Sequence, residues 1–174
     1  MAEQLKDHDI NVPKIISHHP TIGVTIQNDL GDDDLISLMN DQNREFLINK
    51  SIDLLVDIHK VDIEGLVHLS SSDLKDQMNK FKYIFCEKFL DISADELVND
   101  LIMNALDNLQ ECPKNNCHFD FERRNLILDD RNEVNVIDFQ DMCIAPIGID
   151  IAGILLYHYL SFDRSIIKKD LKYF

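Results

Sequence analysis

The sequence of 174 residues contains no tryptophan and has only five glycines and four prolines. No two of the glycines lie close enough together to form a glycine-rich phosphate-binding loop. The apolar runs are also short, and none approaches the ~20 residues that a membrane-spanning helix requires. The sequence therefore indicates neither a phosphate-binding loop of that kind nor a transmembrane segment.

Positive charge is scarce as well. The chain has 17 lysines and arginines against 32 aspartates and glutamates, which gives a formal net charge of −15. Nucleic acids and anionic membrane surfaces are recognised through basic patches. We therefore expect neither a nucleic acid nor a membrane as a partner of this chain.

The four cysteines do not form a zinc-binding pattern, because their spacings lack two closely spaced ligand pairs. The N-terminal stretch is charged from Glu3 onward and does not have the form of a signal peptide. We expect reduced thiols and a cytoplasmic location. The cysteines are Cys86, Cys112, Cys117 and Cys143.

What the sequence does contain is an ordinary globular composition, with 45% hydrophobic and 28% charged residues. Its length corresponds to one domain or part of one. Short β-branched runs predict two early strands, and apolar periodicity predicts the helices that follow. Phe81, Phe85 and Phe89 recur at helical spacing, so we expect them in the core. The predicted strands are 14–19 and 22–27, and the predicted helices are 2–9, 43–60, 70–89, 93–109, 150–160 and 164–174.

The most informative stretch extends from Cys117 to Asp150. It has the form His-x-Asp at His118 and Asp120, followed by Asn125 and two apolar runs, 125–128 and 134–137, around a polar turn. The turn residues tolerate left-handed backbone, so the pattern predicts a β-hairpin. Asp138 follows the second run. Because a hairpin returns the chain to its starting edge, we expect Asp120, Asn125 and Asp138 to lie close together.

This order of polar residues matches the catalytic and metal-binding loops of kinase-type phosphotransferases. Asp120 is predicted to be the base that accepts a proton from, or orients, an acceptor hydroxyl. Asn125 and Asp138 are predicted to offer a neutral and a charged oxygen to magnesium. His118 is expected to support the loop backbone. Asp150 has two interpretations of equal weight, an N-cap of the next helix or an anchor for the catalytic loop.

The segment HFDFERRNLILDDRNEVNVIDFQDMCIAPIGIDIAGIL resembles the aminoglycoside phosphotransferase and choline kinase superfamily, and within it the bacterial cell-wall amino-sugar kinases. The similarity includes Arg124-Asn125 in the catalytic loop and extends over nearly the whole chain. It implies a protein-kinase-like α+β fold, ATP and Mg²⁺ as cofactors, and a small-molecule acceptor such as an amino sugar. It also implies that Arg124 supports the loop and that backbone near Asn28, Asp29 and Leu30 holds adenine.

By the same resemblance, residues 1–30 are expected to be a remnant of the small lobe with the hinge, and residues 31–174 a C-terminally truncated large lobe. The family's phosphate-covering loop and third-strand lysine have no counterpart in the sequence. Two functions therefore stay open. The first is an ATP-dependent kinase acting on a small-molecule hydroxyl, and the second is an impaired kinase remnant that acts only in ligand or partner binding. The oligomeric state is not predicted.

Overall fold

The computed structural model describes residues 1–93, 95–156 and 163–174, and these residues form an α+β fold. Seven helices of the α type and seven strands occur in the described part of the chain. The helices are α1 (Ala2–Asp7), α2 (Leu35–Leu38), α3 (Arg44–Lys60), α4 (Ser71–Lys80), α5 (Asp95–Glu111), α6 (Gly148–Leu155) and α7 (Arg164–Tyr173). The strands are β1 (Ile15–His19), β2 (Val24–Gln27), β3 (Val67–His68), β4 (Lys114–Cys117), β5 (Leu126–Leu128), β6 (Val134–Val136) and β7 (Cys143–Pro146).

The two predicted N-terminal strands are present as an antiparallel hairpin of β1 and β2. Gly23 lies in the connecting turn with a φ of 65°, a left-handed conformation that favours glycine. The pairing extends beyond β2, because the Asn28 backbone N–H donates to the carbonyl of Lys14 at 3.0 Å. The Asn28 side chain in turn accepts the N–H of Lys14. The start of the predicted hinge is thus anchored to the strand before it.

An acidic run, residues 32–34, precedes α2, and its last residue starts the helix. Asp34 is the N-cap of α2, and its carboxylate accepts the Ser37 backbone N–H at 2.7 Å. This contact satisfies one of the free N–H groups of the first turn. The neighbouring Asp33 carbonyl accepts the Leu128 N–H at 2.9 Å, which ties the segment after the hinge to strand β5.

The main core forms around α3, whose apolar face is buried against α6 and against the stretch that extends from Cys117 to Asp150. A contiguous apolar cluster of this kind is the main source of stability in a domain of this size. Its most deeply buried members include Leu47, Ile48, Ile52, Leu55, Ile58, Phe121, Leu126, Val136 and Ile154. Helix α7 packs on the outer side of α3, where Arg44 pairs with the buried Asp170 at 2.6 Å.

A three-stranded sheet of order β3-β7-β4 was not predicted. Asn115 and Asn116, which follow the helix predicted for residues 93–109, both lie in β4, antiparallel to β7. Asn116 is buried, and its side-chain amide donates to the carbonyls of Ile58 at 2.9 Å and Val61 at 2.6 Å. It thereby satisfies carbonyls at the C-terminal end of α3, where backbone acceptors lack helical partners.

The expectation that Phe81, Phe85 and Phe89 form core is wrong. Their side chains are 48%, 43% and 76% exposed, and they stack on one another with ring centroids 5.3 and 5.8 Å apart. After α4 the chain continues as a π-helix, Phe81–Phe89, which turns Lys82 and Cys86 inward instead. Periodicity showed correctly that the three rings share a face, but that face points outward.

Helix α6 confirms the apolar helix predicted around Asp150, although it begins two residues earlier, at Gly148. Its predicted continuation through Tyr157 to Leu160 lies outside the described residues. In the described part of the chain, none of the helices combines the length and apolar character that crossing a membrane would need.

Candidate active site

The predicted hairpin is present and brings the two ends of the catalytic stretch together. Strand β5 pairs antiparallel with β6, with Leu126 opposite Val136. Asn132 closes the turn with a φ of 60°. Beyond the strands, the Ile137 N–H donates to the Asn125 carbonyl at 3.0 Å. Asn125 therefore lies opposite the residue that precedes Asp138, at one edge of the hairpin.

The side chain of Asn125 is held by two hydrogen bonds to Asp120. Its side-chain Nδ2 donates to the Asp120 carbonyl at 2.8 Å and to Asp120 Oδ2 at 2.9 Å. Both acceptors face the nitrogen, which assigns the orientation of the amide. Asn125 Oδ1 is thereby turned away from Asp120 and presents a neutral oxygen. Asp120 is exposed, whereas Asn125 is buried.

Asp138 lies directly after the hairpin in a left-handed conformation, with φ 63° and ψ 34°. This conformation is uncommon for a residue other than glycine and is often found at functional sites. The exposed carboxylate accepts a hydrogen bond from Gln140 Nε2 at 2.6 Å through Oδ1. The structure thus holds one carboxylate oxygen and leaves Oδ2 directed elsewhere.

His118 joins the loop that carries Asp120 to the segment that leads into Asp138. Its Nε2 donates to the Ile137 carbonyl at 2.8 Å, and its Nδ1 accepts the Asp120 N–H at 3.3 Å. A carbonyl can only accept and an N–H can only donate, so these partners require the neutral tautomer protonated at Nε2. Burial lowers the pKa of His118, which agrees with a neutral ring.

Asp150 is the third residue of α6, so its side chain does not occupy the N-cap position. Its carboxylate accepts the backbone N–H groups of His118 at 2.6 Å and Phe119 at 2.9 Å. Phe119 has a φ of 73°, and in this geometry the two consecutive N–H groups converge on one carboxylate. Burial raises the pKa of Asp150 to about 6, while the backbone hydrogen bonds act in the opposite direction.

Helix α6 approaches the catalytic loop closely at Gly153, a residue that the sequence reasoning did not single out. A Cβ atom at this position would lie 2.7 Å from the Phe121 carbonyl oxygen. Only a residue without a side chain fits at such a distance. The signal in the sequence was an isolated glycine within an apolar helical pattern, which commonly marks close packing of backbone.

The two arginines of the loop differ in their surroundings. Arg124 is exposed, and its Nε donates to Glu122. Arg123 is buried, and its Nε donates to the Ile154 carbonyl of α6 at 3.4 Å. Glu122 and Arg123 were missed because charged residues are usually exposed, and nothing in the local pattern marks them as buried.

Cys117 precedes His118 but has the surroundings of a core thiol. Its side chain is fully buried and donates to the Ala145 carbonyl at 3.3 Å. Burial, together with the nearby Asp150, raises the pKa of the thiol well above its usual range. A nucleophilic cysteine needs a stabilised thiolate, which this environment opposes.

Asn28, Asp29 and Leu30 line a cleft of about 270 Å³ together with Ile127 and Ile137. The same hinge residues line a second cleft, of about 340 Å³, against the hairpin turn. The Asp29 carboxylate accepts the Gly31 N–H at 2.9 Å, which shapes the hinge as a tight turn. The hinge therefore lies beside the hairpin, on the side where Ile137 leads into Asp138.

The described residues contain no group of three or more His, Cys, Asp or Glu side chains placed to hold a metal ion. The hairpin instead brings together one amide oxygen donor, Asn125, and one carboxylate donor, Asp138. Mg²⁺ in phosphotransfer sites is bound by one or two protein oxygens together with substrate phosphates and water. The chemistry of this donor pair fits that ion.

Comparison with known proteins agrees with this geometry. A 26% identical relative is the N-acetylmuramate/N-acetylglucosamine kinase of Neisseria meningitidis serogroup B, matched over 91% of this chain and 50% of its own length. The chain thus spans about half of that relative.

Two solved structures of similar fold superimpose on nearly all of the chain. The choline kinase LicA from Streptococcus pneumoniae has a TM-score of 0.70 at 16% identity, with 98% of this chain and 58% of the other covered. An aminoglycoside-3'-phosphotransferase of type VIII has a TM-score of 0.67 at 16% identity, covering 97% and 67%. These likenesses confirm the protein-kinase-like α+β fold. The model of the phosphotransferase enzyme family matches residues 1–169, and the chain therefore belongs to that family.

Proposed function

We propose that this chain carries the acceptor-binding and metal-binding half of a site that transfers a phosphoryl group from ATP to a hydroxyl of a small molecule, with an amino sugar as the acceptor. The observation that carries this proposal is the placement of Asp120, Asn125 and Asp138 at one edge of the hairpin. Asn125 is hydrogen-bonded to Asp120, and the backbone of Ile137, which precedes Asp138, is hydrogen-bonded to Asn125. Phosphoryl transfer depends mainly on positioning and charge neutralisation, so a few fixed oxygen ligands are what the chemistry needs.

Asp120 is the proposed base. Asn125 occupies its Oδ2 at 2.9 Å, so Oδ1 is the oxygen assigned to the acceptor hydroxyl. The loop that carries Asp120 is held from behind by Asp150 through two backbone N–H groups. A rigid loop keeps the carboxylate in a reactive position and reduces the entropy lost on reaching the transition state.

Asn125 and Asp138 are the proposed magnesium ligands. One is neutral and the other anionic, and the Ile137–Asn125 backbone hydrogen bond of 3.0 Å holds their chain segments side by side. When bound, Mg²⁺ neutralises charge on the phosphate oxygens. The protein's part is to hold these two oxygens at fixed positions beside Asp120.

The hinge cleft is the proposed adenine site, with backbone at Asn28, Asp29 and Leu30 and apolar side chains from Ile127 and Ile137. A structure of a 20% identical relative is described as a streptomycin–ATP ternary complex with APH(2")-IIa, which supports nucleotide use in proteins of this fold. The amino-sugar acceptor is inferred from the Neisseria kinase described above.

A second candidate function is ligand or partner binding without turnover. The sequence has no counterpart of the phosphate-covering loop, and the lysines before the hinge are Lys6 and Lys14. Lys14 lies just before β1, and its backbone is paired with Asn28. Preorganised groups that stabilise developing charge are often the largest contribution to catalysis, so a site built from the residues of this sequence alone would turn over orders of magnitude more slowly.

The two functions are separated by incubating the chain with Mg²⁺ and γ-labelled ATP in the presence of N-acetylmuramate or N-acetylglucosamine. The kinase proposal expects labelled sugar from the parent, at least a hundredfold less from Asp120→Asn, and an unchanged yield from Asp107→Asn at an exposed position of α5. Equal labelling by the parent and Asp120→Asn would contradict the role of Asp120. Nucleotide binding without labelled sugar would favour the binding function.

A further inference from the structure

The geometry points to Gln140 as a positioning residue that orients the Asp138 carboxylate for magnesium, an inference that rests on the proposed function. Gln140 lies two residues after Asp138, in the three-residue 3-10 helix Phe139–Asp141. Its Nε2 donates to Asp138 Oδ1 at 2.6 Å. Gln140 itself is not proposed to touch the metal.

The backbone before Asp138 is fixed independently of Gln140. The Ile137 N–H donates to Asn125 at 3.0 Å, and the Ile137 carbonyl accepts from His118 at 2.8 Å. The Asp138 side chain, however, is exposed. An exposed carboxylate is free to change rotamer unless a hydrogen bond holds it, and ordering it has an entropic cost. Gln140 supplies that hydrogen bond.

The type of residue matters at this position. A lysine or arginine would hold the carboxylate equally well but would neutralise its charge and repel a cation. The amide of Gln140 is a neutral donor, so the carboxylate keeps its full charge while one oxygen is held and the other is available. The proposed ligand Asn125 is held in a similar way. Its amide nitrogen donates to Asp120, which leaves its amide oxygen available to a metal ion.

Partners that orient a metal ligand typically change metal affinity or activity by about 10–100-fold when removed. A residue that only completes a turn affects folding stability and leaves the metal dependence of binding unchanged. The two roles therefore differ in one measurable quantity, the gain in nucleotide affinity that magnesium confers.

The test is calorimetric titration of the full chain with ADP, once with excess Mg²⁺ and once with EDTA. Gln140→Met keeps the length of the side chain and removes the donor. We expect it to reduce the magnesium-dependent gain in ADP affinity about tenfold. The affinity in EDTA and the melting temperature without metal are expected to stay at parental values. Gln110→Met, at an exposed position of α5, is the matched control and should behave as the parent does.

Asp138→Ala separates failure of this inference from failure of the proposed function. If the parent shows a magnesium-dependent gain, Asp138→Ala loses it and Gln140→Met retains it in full, the role of Gln140 is wrong and the metal site stands. A fall in metal-free melting temperature with an unchanged gain would equally overturn the inference. If the parent itself shows no magnesium-dependent gain, both proposals fall.

Discussion

Two regions of the molecule differ in which side chains they bury: the stretch from Cys117 to Asp150 buries polar side chains, and the π-helix Phe81–Phe89 exposes apolar ones. In the first, His118 and Asp150 are buried and hydrogen-bonded, and they hold together loops that have little regular structure. In the second, three stacked phenylalanines face outward on a regular helix. Residue type alone would have suggested the reverse.

The comparison shows that in these two regions hydrophobicity alone does not decide burial, because hydrogen-bond partners allow polar side chains to be buried. A buried polar group is stable when each donor and acceptor is satisfied, as the carboxylate of Asp150 and the ring of His118 are. An apolar face stays exposed where no described element covers it. Four predictions test this difference between the stretch from Cys117 to Asp150 and the π-helix. The failure of any one of them would weaken it.

The largest expected effect comes from a matched pair of phenylalanines. Phe121 is 1% exposed within the main core, whereas Phe85 is 43% exposed in the stacked row. Phe121→Ala should lower the free energy of unfolding by about 3–5 kcal/mol because it leaves a cavity. Phe85→Ala should cost about 1 kcal/mol, mainly from lost ring stacking. Urea denaturation of both variants provides the measurement, and equal losses would remove the contrast between the two regions.

Asp150→Asn tests the anchor of the catalytic loop. The substitution keeps the shape of the side chain but replaces one acceptor oxygen with a donor that faces a backbone N–H. Loss of a charge-assisted hydrogen bond of this kind costs about 1.5–3 kcal/mol. We expect a destabilisation of about 3 kcal/mol in denaturant unfolding. Asp107→Asn, at an exposed position of α5, is the control, and a similar loss in both variants would argue against the anchor.

Gly153→Ala tests the close approach between α6 and the loop. Alanine should favour the helix by about 1 kcal/mol, but its Cβ would lie 2.7 Å from the Phe121 carbonyl. We expect a net destabilisation of about 2 kcal/mol from overpacking. Gly148→Ala, at the start of the same helix, would bring its Cβ only to 4.0 Å from Cys112 Sγ and should be neutral. Thermal melts of the two variants compare them directly.

The last expected effect concerns pH. Burial raises the pKa of Asp150 from 3.8 to about 6 in the folded state. A raised pKa means that the folded chain binds the proton more tightly than the unfolded chain. Stability from this group is therefore fully present below pH 3.8 and is lost as the pH rises through about 6.

Relative to Asp150→Asn, the parent should gain roughly 1 kcal/mol for each pH unit as the pH falls from about 6 to 3.8. Denaturation of both proteins at several pH values measures the difference, in which titrations common to both cancel. A difference that does not change between pH 7 and pH 4 would show that the pKa of Asp150 is not raised. His118, with its lowered pKa, contributes in the opposite direction in both proteins.

The sequence predicted the hairpin and the return of the chain from Asn125 to Asp138 at its edge, because these depend on local turn residues and on short apolar runs next to each other. It did not predict the sheet of β4 and β7, since Cys117 pairs with Cys143 across 26 positions of the chain and β4 is rich in polar residues. Periodicity placed Phe81, Phe85 and Phe89 on one face but carries no information about whether another element covers that face. Gly153 lies against the Phe121 carbonyl, a contact between distant parts of the chain that only the fold reveals.

The most direct test of the account is a thermal melt of the chain with ATP, with and without Mg²⁺, for the parent and for Asp138→Ala. If the hairpin assembles the metal-binding half of a phosphotransfer site, Mg²⁺ should raise the melting temperature of the ATP-bound parent. The Asp138→Ala variant should show no such rise. A parent that gains nothing from Mg²⁺, or a variant that gains as much as the parent, would contradict the account.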